Sequence, residues 1–154
     1  MHLYKKVLNK LIKLNISVSV AESCTGGLLA YSFTKNKNAS KIFKGGYISY
    51  SNEFKVNDLG VKKTTLKKYG AVSKETAKEM VKNLYLKNKT NICISTTGIA
   101  GPKGGTKNKP IGLVYIGIFL NSKILVIKKK FIGTRIQIQT KCINFIFKYL
   151  DNSI

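Results

Sequence analysis

Three small polar side chains stand in a row at Ser23, Cys24 and Thr25, directly ahead of Gly26 and Gly27. Each can serve as a nucleophile once a base removes its proton. Before them, Ile16 to Ala21 reads as a short strand rich in β-branched residues; behind them, Leu28 to Phe33 continues as a helix. A strand that ends in a tight turn at the mouth of a helix presents free backbone N–H groups and a positive helix end, a natural seat for an anion. Neighbouring strand residues face opposite ways, so only one of Ser23 and Cys24 can point into a site. Periodicity does not choose between them.

The base is the scarcer commodity. The single histidine is His2, near the N-terminus, which removes most histidine-based triads and makes no case for a zinc or iron centre. A serine nucleophile here needs a lysine or a tyrosine, and a lysine desolvated among other cations can lose its proton near neutral pH. Tyr50 falls at the end of a second strand and Lys55 one helical turn in, with Ser51 and Asn52 between them. Ser23, Tyr50 and Lys55 are therefore a candidate catalytic set. The plainer reading makes Tyr50 a rim residue and Lys55 one solvated cation among many.

A second glycine cluster runs from Gly98 through Ala100, Gly101, Pro102 and Lys103 to Gly104, Gly105 and Thr106, after the apolar strand Asn91 to Thr97. In a parallel α/β sheet two such loops share one edge, where ligands usually bind. Neither loop has the Walker or GxGxxG spacing, which speaks against a nucleoside triphosphate or a Rossmann dinucleotide.

The elements that must hold these residues follow from the apolar periodicity. An amphipathic helix is predicted from about residue 3 to 14, then the strand Ile16 to Ala21 and the helix from Leu28 to Phe33. A polar loop covers Lys35 to Ser40. Gly45-Gly46 introduces a strand over Tyr47 to Tyr50, and Ser51 or Asn52 caps a short helix. Thr64 to Tyr69 adds a turn, and Ser73 caps a longer helix with Ala77, Met80, Val81 and Leu84 on one face. After the third strand, Ile111 to Leu120 and Lys123 to Ile132 form a hairpin through Asn121-Ser122. Thr134 caps a last helix from about Arg135 to Leu150. Helices alternating with strands, with a hairpin near the end, predict an α/β chain: a three-layer α/β/α sandwich on a mixed sheet, one domain over residues 1–154.

The 154 residues carry 28 Lys and Arg against 6 Asp and Glu, a net charge of +22. Arg135 is the only arginine, and the lysines spread along the whole chain. Phosphate-reading surfaces use arginine for bidentate contacts, so a specific nucleic-acid partner is not expected. The joint excess of Lys, Asn and Ile matches AT-rich codon usage instead. Cys24, Cys93 and Cys142 have neither disulfide-framework nor zinc spacing. With no signal peptide and no membrane-length apolar run, a cytoplasmic protein with no membrane partner is the expectation.

Taken together, Ala21-Glu22-Ser23-Cys24-Thr25-Gly26-Gly27, Gly46 to Lys55, Gly70-Ala71-Val72-Ser73, Thr97 to Thr106 and Lys109 to Tyr115 resemble the CinA C-terminal domain, in order and spacing over almost the whole chain. Stand-alone members of that family are nicotinamide-nucleotide amidases. The resemblance implies hydrolysis of the carboxamide of nicotinamide mononucleotide, a step of pyridine-nucleotide salvage, with no metal and no cofactor. It implies Ser23 as nucleophile with Tyr50 and Lys55 as partners, Cys24 turned into the core, and a homo-oligomer. Substrate binding is assigned to Thr25, Gly26, Gly27, Asn52, Thr97, Gly98, Gly101, Gly104, Gly105 and Arg135. The other reading that the family suggests is a non-catalytic nucleotide-binding module tied to competence or DNA damage. Three positions depart from the family pattern. Phe54 replaces a small residue beside Lys55, with bulk enough to crowd it. Thr134 and Gln139 stand where the family tends to have Asp and a second Arg. No stretch resembles the N-terminal molybdopterin-binding-like domain of full-length CinA proteins, so pyrophosphatase activity is not carried over.

Overall fold

Alternation of apolar residues along the chain resolves, in a computed structural model that describes residues 2–154, into a five-stranded mixed sheet between two helical layers. The elements are α1 (His2–Lys13), β1 (Val18–Glu22), α2 (Leu28–Thr34), β2 (Phe43–Ile48), α3 (Asn52–Asn57), α4 (Lys63–Tyr69), α5 (Lys74–Asn88), β3 (Ile92–Gly98), β4 (Leu113–Leu120), β5 (Lys123–Lys130) and α6 (Arg135–Ser153). Spatial order is β2-β1-β3-β4-β5, with β1 parallel to β2 and β3, and antiparallel pairing from β3 through β5. Every residue of β1 is buried, as a strand with parallel neighbours on both sides requires.

Strand parity sorts the core into two halves. Val18 and Val20 of β1, with Ile92 and Ile94 of β3, pack under α1, α2 and α6 against Leu11, Phe33, Phe147 and Leu150. Ala21 and Cys93 face the other way, onto Met80, Val81 and Leu84 of α5. Carried two residues past the end of β1, the same parity sends Cys24 to the α1/α2/α6 side, where it joins the core. Ser23 is left to face the opposite side. α1 and α6 are also joined at their ends, where Asp151 meets Lys6 at 2.7 Å and Lys10 at 2.8 Å.

Two expectations change. β2 begins at Phe43, so Gly45-Gly46 lie inside the strand and do not introduce it. A Cβ at Gly46 would sit 2.2 Å from the Val20 carbonyl oxygen, so the close approach of β1 and β2 needs a glycine within the ladder. The Lys35 to Ser40 loop runs into a 3₁₀ turn, Ala39–Lys41. The caps are as read: Ser51 accepts from the Phe54 N–H and Ser73 from the Thr76 N–H. Thr134 forms a reciprocal capping box with Gln137 at the start of α6. Among the described residues no helix is long and apolar enough to cross a membrane.

Candidate active site

The carboxyl ends of the parallel strands β1 and β3 open onto one cleft of about 270 Å³. Ser23 lies at its floor, one residue beyond β1, and is held in register when its N–H donates to the Thr96 carbonyl of β3 at 3.0 Å. Lys55, on the first turn of α3, buries its whole side chain under the same floor and is 1% exposed. Its Nζ lies 3.0 Å from Ser23 Oγ, 2.8 Å from the Ser49 carbonyl and 3.4 Å from the Tyr50 carbonyl. Among the described residues no carboxylate pairs with it. Burial therefore lowers the Lys55 pKa from 10.5 to about 8. The nearby Cys24 would oppose that shift only as a thiolate, and burial pushes its thiol up to about 12. At neutral pH Cys24 is a neutral core side chain, and Ser23 is the residue facing the base.

This geometry can prime a hydroxyl. As a free amine, Lys55 keeps two N–H bonds for the two carbonyls and aims its lone pair at Ser23 Oγ. The carbonyls thus orient the base as well as anchoring it. Among the described residues, the Cys24 and Thr25 amides beside Ser23 donate to no acceptor on another residue. Of the two, Cys24 lines the cleft, and an unpaired N–H next to a nucleophile can hold a developing oxyanion.

Phe54 does not crowd the pair. Its side chain is 54% exposed, because α3 turns that position to solvent while Lys55, one residue on, points inward. Tyr50 is also exposed, and its hydroxyl accepts from the Arg135 guanidinium at 2.6 Å, while its contact with Lys55 is through its carbonyl. The same guanidinium donates to the Gly101 carbonyl at 2.7 Å. Arg135 thus ties the Tyr50 rim to the second glycine loop, and with Lys103 it supplies the cleft's cationic wall.

Of the residues that the resemblance assigns to substrate binding, Asn52, Thr97, Gly98, Gly101, Gly104 and Arg135 line this cleft. Thr25, Gly26, Gly27 and Gly105 do not. Thr25 turns its hydroxyl inward to Glu22 at 2.6 Å and to Thr96 at 2.8 Å, while Gly105 packs against Ile111. The anion seat expected at Gly26-Gly27 is already filled by the Glu22 carboxylate. It accepts from the backbone N–H groups of Gly27 (3.1 Å), Leu29 (3.0 Å) and Ala30 (2.8 Å). Sequence reasoning missed Glu22 and also Gln139, whose side-chain amide donates to the Cys24 carbonyl at 2.9 Å from α6. The signal for Glu22 was present: an acidic residue closing an apolar strand just ahead of a helix start.

The fold and site define a class: a mixed-sheet α/β protein with a buried serine–lysine pair at its parallel strand ends. The family model for the CinA C-terminal domain matches residues 1–154, and the chain belongs to that family. A relative from Thermoanaerobacter pseudethanolicus that carries the name competence-damage inducible protein is 51% identical over 140 residues. That match covers 90% of this chain and 34% of the relative. A relative of the same name from Clostridium botulinum is 49% identical over 148 residues, covering 94% of this chain and 36% of its own. The chain thus spans about a third of the length of these relatives. The crystal structure of the competence/damage inducible protein CihA from Agrobacterium tumefaciens superposes with a TM-score of 0.93 at 32% identity. It covers 98% of this chain and 93% of that one. A Klebsiella pneumoniae competence damage-inducible protein gives the same TM-score at 28% identity, covering 98% and 94%.

Proposed function

We propose that this protein is an amidohydrolase that converts nicotinamide mononucleotide to nicotinate mononucleotide and ammonia. The observation that carries the reading is the 3.0 Å approach of a buried, carboxylate-free Lys55 to Ser23 Oγ. Lys55 as free amine takes the Ser23 proton while Oγ attacks the carboxamide carbon, and the Cys24 amide holds the oxyanion. Collapse of the tetrahedral centre breaks the C–N bond, and the Lys55 ammonium gives its proton to the departing nitrogen, releasing ammonia. Water then attacks the acyl ester with Lys55 again as base. Oγ leaves with that proton, and the carboxylate product is freed.

The 5′-phosphate is the substrate's anionic group, and Arg135 and Lys103 are the cations on the cleft wall to meet it. The test is ammonia release from nicotinamide mononucleotide by the purified protein, with Ser23→Ala as control. Turnover that Ser23→Ala lowers by about 10⁴-fold or more supports the reading. An active Ser23→Ala protein overturns it. Thermal stabilisation by the nucleotide without any turnover would favour a binding module instead.

A further inference from the structure

Among the described residues Glu22 is the one acidic side chain buried to 0% exposure, and none of their ion pairs involves it. A buried carboxylate without a countercharge is costly unless its oxygens are fully hydrogen-bonded. Here all its bonds are accepted ones. Oε2 takes the Thr25 hydroxyl at 2.6 Å, the Gly27 N–H at 3.1 Å and the Leu29 N–H at 3.0 Å; Oε1 takes the Ala30 N–H at 2.8 Å. Its main chain is tied as well, since the Glu22 carbonyl accepts the Ser49 N–H at 2.7 Å. Ser49 is the residue whose carbonyl holds Lys55 at 2.8 Å.

One residue therefore braces both members of the reactive pair. The side chain pins the turn that follows Ser23, through residues 25, 27, 29 and 30. The backbone pins the acceptor that aims Lys55. Gly26 and Gly27 sit at φ of 56° and 101°, a left-handed path whose own backbone bonds are Gly26 N–H to the Ser23 carbonyl and Leu28 N–H to the Thr25 carbonyl, both at 3.0 Å. Without an internal anion, the N–H groups at the start of α2 would need water or a ligand, and the Ser23 turn would be free to shift. We infer that Glu22 is a positioning residue for the Ser23 nucleophile, fixing Oγ against Lys55 and the Cys24 amide by serving as the built-in anion of α2. This rests on the proposed serine nucleophile but not on the identity of its substrate.

The variant is Glu22→Gln, equal in size but carrying an amide NH₂ that must face backbone N–H donors. The assay is the second-order rate at which a small alkyl fluorophosphonate labels Ser23, read by intact mass. In that step Oγ bonds to phosphorus, fluoride leaves and Lys55 takes the proton, so no nucleotide recognition is needed. Leu150→Ala, far along α6 in the core, serves as a destabilised control matched by melting temperature. Displacing a reacting atom by about 1 Å costs on the order of 100-fold in rate, and Glu22→Gln should label about that much more slowly. Leu150→Ala should label at the parent rate. Equal labelling of Glu22→Gln and the parent overturns the inference, as does a loss matched by Leu150→Ala. A parent that does not label at Ser23 also overturns it. Labelling without ammonia release from nicotinamide mononucleotide refutes the substrate and leaves the Glu22 role standing.

Discussion

Lys55 should give the same apparent pKa in two unrelated measurements, because the loss of water around its ammonium governs both its reactivity and its energetic cost. At a pKa of about 8, roughly a tenth of Lys55 is free base at pH 7, against about 0.03% for an ordinary lysine at 10.5. Ammonia release, followed as kcat/KM, should therefore climb about tenfold per pH unit up to about 8 and level off above it. The stability side follows by linkage. Below about pH 8 Lys55 is protonated in both folded and unfolded chains, and the folded state carries the full cost of burying the charge. That cost is about 3 kcal/mol for a fall from 10.5 to about 8. Between those values the unfolded chain binds the extra proton, so raising the pH relieves the cost and stability rises. Lys55→Met removes the charge, and subtracting its unfolding free energy from the parent's cancels the other lysines. The parent should gain on the variant by about 3 kcal/mol from pH 7.5 to pH 10.5, while the variant releases no ammonia. A rate inflection near 10.5, or a difference in stability that is flat with pH, would refute the assignment of a desolvated base.

Tyr50→Phe removes a hydroxyl whose protein partner is Arg135, so turnover should fall by less than about tenfold; a loss of about 10³-fold would return Tyr50 to the proton path. Arg135→Ala should raise KM for nicotinamide mononucleotide by about tenfold or more and leave the phosphate-free riboside unaffected; equal effects on both would remove Arg135 from phosphate binding. Gly46→Ala forces a Cβ to within 2.2 Å of the Val20 carbonyl and should cost about 3 kcal/mol in urea denaturation. A neutral result there would mean that β1 and β2 can separate without loss.

Much of the framework was legible because the strands are short and the helices amphipathic. Val7, Leu8 and Leu11 announce α1, and Ala77, Met80, Val81 and Leu84 announce the buried face of α5. The choice between Ser23 and Cys24 was not legible, since it depends on which sheet face carries α5 and that is set by chain crossovers. Gly45-Gly46 misled because glycine reads as a break, whereas here it is the spacing between two strands that requires it. Gln139 looked like a lost arginine when compared with the family pattern. In the folded chain it is a donor fitted to the Cys24 carbonyl, a role that 115 residues of separation hide from any local reading. Phe54 shows the converse: its bulk mattered in the sequence and is harmless on the solvent side of α3.

The contacts that build the cleft span 32 residues between Ser23 and Lys55, 85 between Tyr50 and Arg135, and 115 between Cys24 and Gln139. The two that reach α6 form late in folding and on the ribosome must wait for that helix. Until the core closes, Lys55 is a hydrated ammonium and Ser23 an ordinary alcohol. A half-made or partly unfolded chain therefore carries no primed serine to attack bystander amides or esters. The burial that costs this protein stability also confines its reactivity to finished molecules.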